Sequence, residues 1–104
     1  MSETEKAAKV IDALKASEPK PPHIALRILN ELAGLMQAGP GDPEQPLEVE
    51  EARSSAFLAI CEIGKALHRG QPADHLWAPA IGASERWASL AGGYTSRKSS
   101  SHKS

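Results

Sequence analysis

Cys61, His68 and His75 recur at seven-residue intervals, a thiol and two imidazoles of the types that ligate zinc or form a cysteine–histidine nucleophile pair. On a helix, seven residues separate Cys61 from His68 by about 10 Å of rise. Ligands of one ion must converge on it at about 2.0 to 2.3 Å. The spacing therefore argues against a shared ion, and the same distance removes the nucleophile pair. Cys61 closes the apolar run Ala56-Phe57-Leu58-Ala59-Ile60-Cys61, where a free cysteine is expected to act as a small core hydrophobe. His68 and His75 then read as helix-end or surface histidines.

Paired carboxylates are the next candidates, since two acids held close together can divide acid and base roles. Glu51 and Glu62 lie three helical turns apart, and Glu48 with Glu51 forms a first-turn pair facing water. Gly39-Pro40-Gly41 is a turn rather than a phosphate cradle, and no P-loop or dinucleotide glycine pattern occurs. No catalytic, cofactor-binding or metal-ligating set is expected. The chain reads as non-enzymatic, with no cofactor.

Charge narrows the partners. A formal net charge of -1 argues against a chain held to nucleic acid or anionic membrane by its global field. Arg97, Lys98, His102 and Lys103 make a small basic tail, which supports a weaker alternative, a small nucleic-acid-associated regulator assisted by that tail. Neither long helix predicted below carries the exposed Arg, Lys, Asn and Gln cluster of a recognition helix. The six-residue apolar run is far short of the roughly 20 residues that span a bilayer. The mixed-charge opening MSETEKAAKV lacks a secretory h-region, and a lone cysteine has no intrachain disulfide partner. A cytoplasmic protein with no membrane association is expected.

The elements that must position these residues are helical. The stretch Pro46 to Arg69 predicts one long helix, with Glu48, Glu50 and Glu51 at its start, Lys65, His68 and Arg69 at its end, and Gly70 and Pro72 as stops. Its seam comprises Val49, Ala56 and Ile63 with Arg53, Ile60 and Leu67, widened by Phe57, Cys61 and Gly64. Ahead of it, Ala25, Ile28, Leu29, Leu32, Leu35 and Met36 recur at three- and four-residue steps, predicting a helix from about Pro22 to Ala38. The turn-rich connector Gly39 to Gln45, with Asp42-Pro43 as a local turn, should fold the two into an antiparallel hairpin. Leu26 lies off the main stripe of its helix.

Residues 1–17 predict an N-terminal helix opened by a Ser2/Glu5 capping box, with a thin stripe of Ala7, Val10, Ile11 and Leu14. It is expected to be a mobile, loosely docked or partly frayed terminal helix, or else one that docks only on a partner. Pro19, Pro21 and Pro22 make 18–22 a stiff linker. After Gly70, a C-terminal segment is expected to break at Pro79, giving a short helix over 73–78 and a second piece over 84–90 capped by Ser84. Gly92-Gly93 should stop it, leaving 92–104 as a disordered Ser-rich basic tail. Trp77 and Trp87 are either lids on the core or interface anchors.

The expected fold is all-α: an antiparallel hairpin over about 22–38 and 46–69, joined within a core domain of 23–91 by the N-terminal helix and the broken C-terminal helix, in a small helical bundle. Much of the apolar content is alanine, which contributes little buried area. The broadly apolar long helix therefore predicts an association surface. The expected function is a protein–protein interaction or regulatory module that self-associates as a homodimer, with Leu26, Phe57, Leu58, Trp77, Ile81 and Trp87 as candidate interface residues.

Overall fold

A computed structural model describes residues 2–18, 20–37 and 44–103 of the chain, with side-chain surroundings described as far as residue 93. Among the described residues, four helices account for the architecture: α1 (Glu3–Ser17), α2 (Pro22–Gln37), α3 (Leu47–His68) and α4 (Asp74–Lys103). The turn expected around Asp42-Pro43, and Pro19 of the linker, lie outside the described residues.

The helix ends follow local chemistry. Ser2 caps α1, its Oγ accepting the Glu5 N–H at 3.1 Å while its hydroxyl donates to Glu5 Oε1 at 3.2 Å. The serine half of the predicted capping box is present. The glutamate half turns to the serine hydroxyl instead of the cap N–H. Pro22 opens α2, where its missing N–H is one the first turn leaves unbonded. Past the end of α3, Gln71 N–H reaches the Ala66 carbonyl at 2.8 Å and Gly70 N–H reaches Leu67 at 3.2 Å. With Gly70 at φ +69, this is a Schellman close, and the left-handed backbone is the reason glycine stands there.

Packing joins the helices in a ring. Each lies against its neighbours in the chain, and α4 returns to close on α1, while among the described residues the diagonal pairs make no close backbone contact. Directions follow from the side chains. Ser17, at the end of α1, meets Trp77 near the start of α4, and Glu3, at the start of α1, meets Trp87 farther along α4. Leu26, early in α2, lies beside Gly64, late in α3. Neighbours are therefore antiparallel, as in an up-down-up-down four-helix bundle.

The buried positions fall at three- and four-residue steps on every helix: Ala7, Val10, Leu14 and Ser17 on α1, and Ala25, Leu29, Leu32 and Met36 on α2. On α3 they are Val49, Ala52, Ala56, Ile60, Ile63 and Ala66. On α4 they run Trp77, Ala80, Ser84, Trp87 and Ala91, two small residues separating the tryptophans and a third following them, so that each indole has room beside it. A buried tryptophan hides about 150 to 250 Å². At about 25 cal/mol per Å² each indole stabilises the fold by about 4 to 6 kcal/mol as an upper bound. The two offset the thin contribution of the alanines.

Three expectations about the C-terminal segment are corrected. The helix does not break at Pro79, which is exposed on the outer side of a continuous α4. Pro79 is only the sixth residue of that helix, so the one hydrogen bond it removes would have ended on the carbonyl of His75, in an exposed first turn where water substitutes. Ser84 is no cap: it is fully buried in mid-helix, its hydroxyl donating to the Ala80 carbonyl at 2.8 Å. Gly92 and Gly93 do not stop α4, whose backbone continues helical to Lys103 where a disordered tail was expected. Each glycine costs about 1 kcal/mol relative to alanine, a penalty and not a stop.

α1 is docked within the chain. Ala7, Val10 and Leu14 are fully buried, and polar ties hold both ends of the helix to α4.

Candidate functional site

The apolar waist of α3 decides how much surface is left for a partner. Of Ala56 to Cys61, Ala56 and Ile60 are buried, while Phe57, Ala59 and Cys61 are half-buried. α2 covers one flank and α4 the other. The breadth of the apolar run calls for cover by another element or a second chain, and the unbroken α4 is that element. Leu58 alone of the six projects outward, with 64% of its surface exposed. Leu47, at the start of the same helix, is 71% exposed.

These two leucines share a line on α3. Leu47, Glu51, Ser54, Leu58, Cys61, Lys65 and His68 follow one another at alternating steps of four and three residues, the spacing of a single helical face. All but half-buried Cys61 are exposed. The face is acidic at Glu51, apolar at Leu58 and Cys61, and basic at Lys65. Lys65 also reaches Glu62 on its own helix at 3.4 Å, an exposed pair of little energetic weight.

Beside the C-terminal half of this face, α2 and α3 part to form an open groove of about 430 Å³. It is lined by Leu26, Leu29, Asn30 and Ala33 of α2 and by Ile60, Cys61, Gly64, Lys65 and His68 of α3, with Arg69 just past the helix end. Gly64 lines this groove without a side chain of its own. A methyl group placed on Gly64 would lie 3.8 Å from Leu26 Cδ1, in ordinary van der Waals contact. Leu26, off the main stripe of α2, is half-buried because it leans into this groove.

The predicted interface residues thus divide. Leu26 and Leu58 lie in or beside one surface, with Cys61 between them. Phe57 and Ile81 are half-buried and packed against the core. Trp77 and Trp87, at 3% and 0% exposure, are core residues and are not available to a partner. Their ring nitrogens are used internally: Trp77 Nε1–H donates to Ser17 Oγ at 3.0 Å, and Trp87 Nε1–H donates to Glu3 Oε2 at 2.9 Å. Glu3 Oε2 also accepts from Arg53 Nη1 at 3.3 Å, and Arg53 pairs with Glu50, so one carboxylate joins α1, α3 and α4 at one end of the bundle.

Sequence reasoning missed Leu47 and, once His68 was set aside as a ligand, read Lys65, His68 and Arg69 as helix-end charges. The four-three spacing that links them to Leu58 was the available signal.

For chemistry the arrangement offers little. Among the described residues no three His, Cys, Asp or Glu side chains are grouped to hold a metal ion. Cys61 and His68 both line the groove, seven residues apart along α3. No described helix is long and apolar enough to cross a membrane. Comparison with protein-family models, curated proteins and solved structures finds no match to this chain.

Proposed function

We propose that this chain is a non-enzymatic protein–protein interaction module whose contact surface is the outer face of α3 together with the α2–α3 groove. The observation that carries the reading is Leu58, a leucine held 64% exposed at the middle of a helix whose other large aliphatic residues between Val49 and Leu67 are covered. Single exposed leucines are ordinary on protein surfaces. This one stands three residues before Cys61, which lines the α2–α3 groove, and an apolar patch with a charged rim is the usual anatomy of a contact surface. A cytoplasmic setting goes with the reading, supported by the free thiol of Cys61.

The test is photocrosslinking in the native cell, with a photoreactive residue at position 58 and, as a control, at Ala78, which is exposed on α4. Protein adducts are expected from position 58 and not from 78. Equal yields at the two positions, or none at 58, would overturn the assignment.

A further inference from the structure

Charge and spacing on α3 point to the kind of partner. We propose that the occupant of this surface is a second copy of the chain, with two α3 helices lying antiparallel about a two-fold axis at Leu58. This rests on the interaction reading above and names its partner.

Glu51 stands seven residues before Leu58 and Lys65 seven after it, so each lies about 10 Å from Leu58 along the same helical face. A two-fold axis through Leu58 exchanges these positions. Leu58 then meets Leu58 of the second copy, Glu51 meets Lys65, and Lys65 meets Glu51, an isologous contact in which both halves are satisfied by one operation. A parallel arrangement would set Glu51 on Glu51 and Lys65 on Lys65, with like charges opposed. Antiparallel pairing is the self-complementary choice.

The groove adds shape to the charge argument. It flanks the C-terminal half of α3, and the N-terminal half offers the small, exposed Ser54 and Ser55. Antiparallel pairing lays that slim half of one copy along the groove of the other. Leu47 of the second copy then arrives at the groove's basic end, near Arg69, and the second exposed leucine is covered with the first. Helix-end charges also favour the macrodipole of an isolated helix. That accounts for acids early and bases late in α3, but not for two leucines exposed on the line joining them.

Sedimentation equilibrium on the full chain at micromolar concentrations tests the proposal. The expected species has twice the 11.0 kDa of one chain. Glu51→Lys alone should raise the dimer dissociation constant about tenfold, since it turns two opposed ion pairs into repulsions. Adding Lys65→Glu to it should restore the dimer, although each reversal opposes the helix dipole and lowers fold stability. The double variant therefore separates pairing from folding. Leu58→Asp should sediment at 11.0 kDa with unchanged far-ultraviolet circular dichroism. A wild-type chain that stays at the single-chain mass, or a double reversal that dimerises no better than Glu51→Lys, would overturn the proposal. Adducts from position 58 to other proteins, with none to the chain itself, would also overturn it while leaving the interaction reading standing.

Discussion

Removing one hydroxyl tests whether α1 belongs to its own bundle. Ser17 Oγ accepts the Trp77 ring N–H at 3.0 Å and donates to the Leu14 carbonyl at 2.8 Å. Ser17 is fully buried and Trp77 is 3% exposed, so no water waits to replace either partner. In Ser17→Ala the Leu14 carbonyl keeps its bond from Glu18 N–H at 3.3 Å. The indole N–H keeps nothing. Stranding a buried donor costs about 1 to 3 kcal/mol, against which the better helix propensity of alanine returns a few tenths. For a domain near this size each kcal/mol lowers Tm by about 4 to 8 °C. Urea and thermal unfolding followed by circular dichroism would read the loss, in a Leu58→Asp background to keep self-association out of the measurement. The control is Trp77→Phe, which deletes the donor. With the donor gone, Ser17→Ala should cost under about 0.5 kcal/mol, giving a coupling of about 1 kcal/mol or more. Equal costs in the two backgrounds would refute the bond and, with it, the docking of this end of α1. A cost that varied with protein concentration would move α1 onto another copy.

Two other substitutions probe the helix ends and the unbroken α4. Gly70→Ala should destabilise by about 1 to 2 kcal/mol in urea unfolding, because an alanine at φ +69 bears the left-handed penalty; an unchanged midpoint would deny the Schellman close. Pro79→Ala should raise stability by no more than about 1 kcal/mol, because the bond it restores lies at an exposed position where water already substitutes; a gain of about 3 kcal/mol would mean that the proline strains α4.

The helical class, the spans of α2 and α3 and the stop at Gly70 were legible because each rests on local chemistry: apolar spacing, a proline in a first turn, a glycine past the last. What misled was treating Pro79 as decisive. A proline breaks a helix when its ring and missing donor fall where packing needs them, and its outward placement depends on Trp77, Ala80, Ser84, Trp87 and Ala91 facing inward together. Those five positions were readable at steps of three and four. Three of them are alanine or serine, which a search for large apolar residues passes over. The candidate surface was half legible for a similar reason. Leu26 and Leu58 stood out as apolar residues off their stripes, whereas burial of both indoles was settled by partners sixty and more positions away, Ser17 and Glu3.

Continuity of α4 also changes what can be asked of α3. A chain with a broken fourth helix would leave one flank of Ala56–Cys61 bare, and association would then be a requirement of folding. With α4 intact, both flanks are occupied and only the outward corner remains. In a ring of four helices every member has such a corner, and it is ordinarily filled with polar residues because nothing in the bundle reaches it. α3 keeps that rule at Glu51, Ser54, Lys65 and His68 and departs from it at Leu47 and Leu58. A departure that the fold does not use adds nothing to its stability. The physical case for a partner therefore rests on a corner, not on an uncovered core, and the contact should be one that forms and dissolves between already folded bundles.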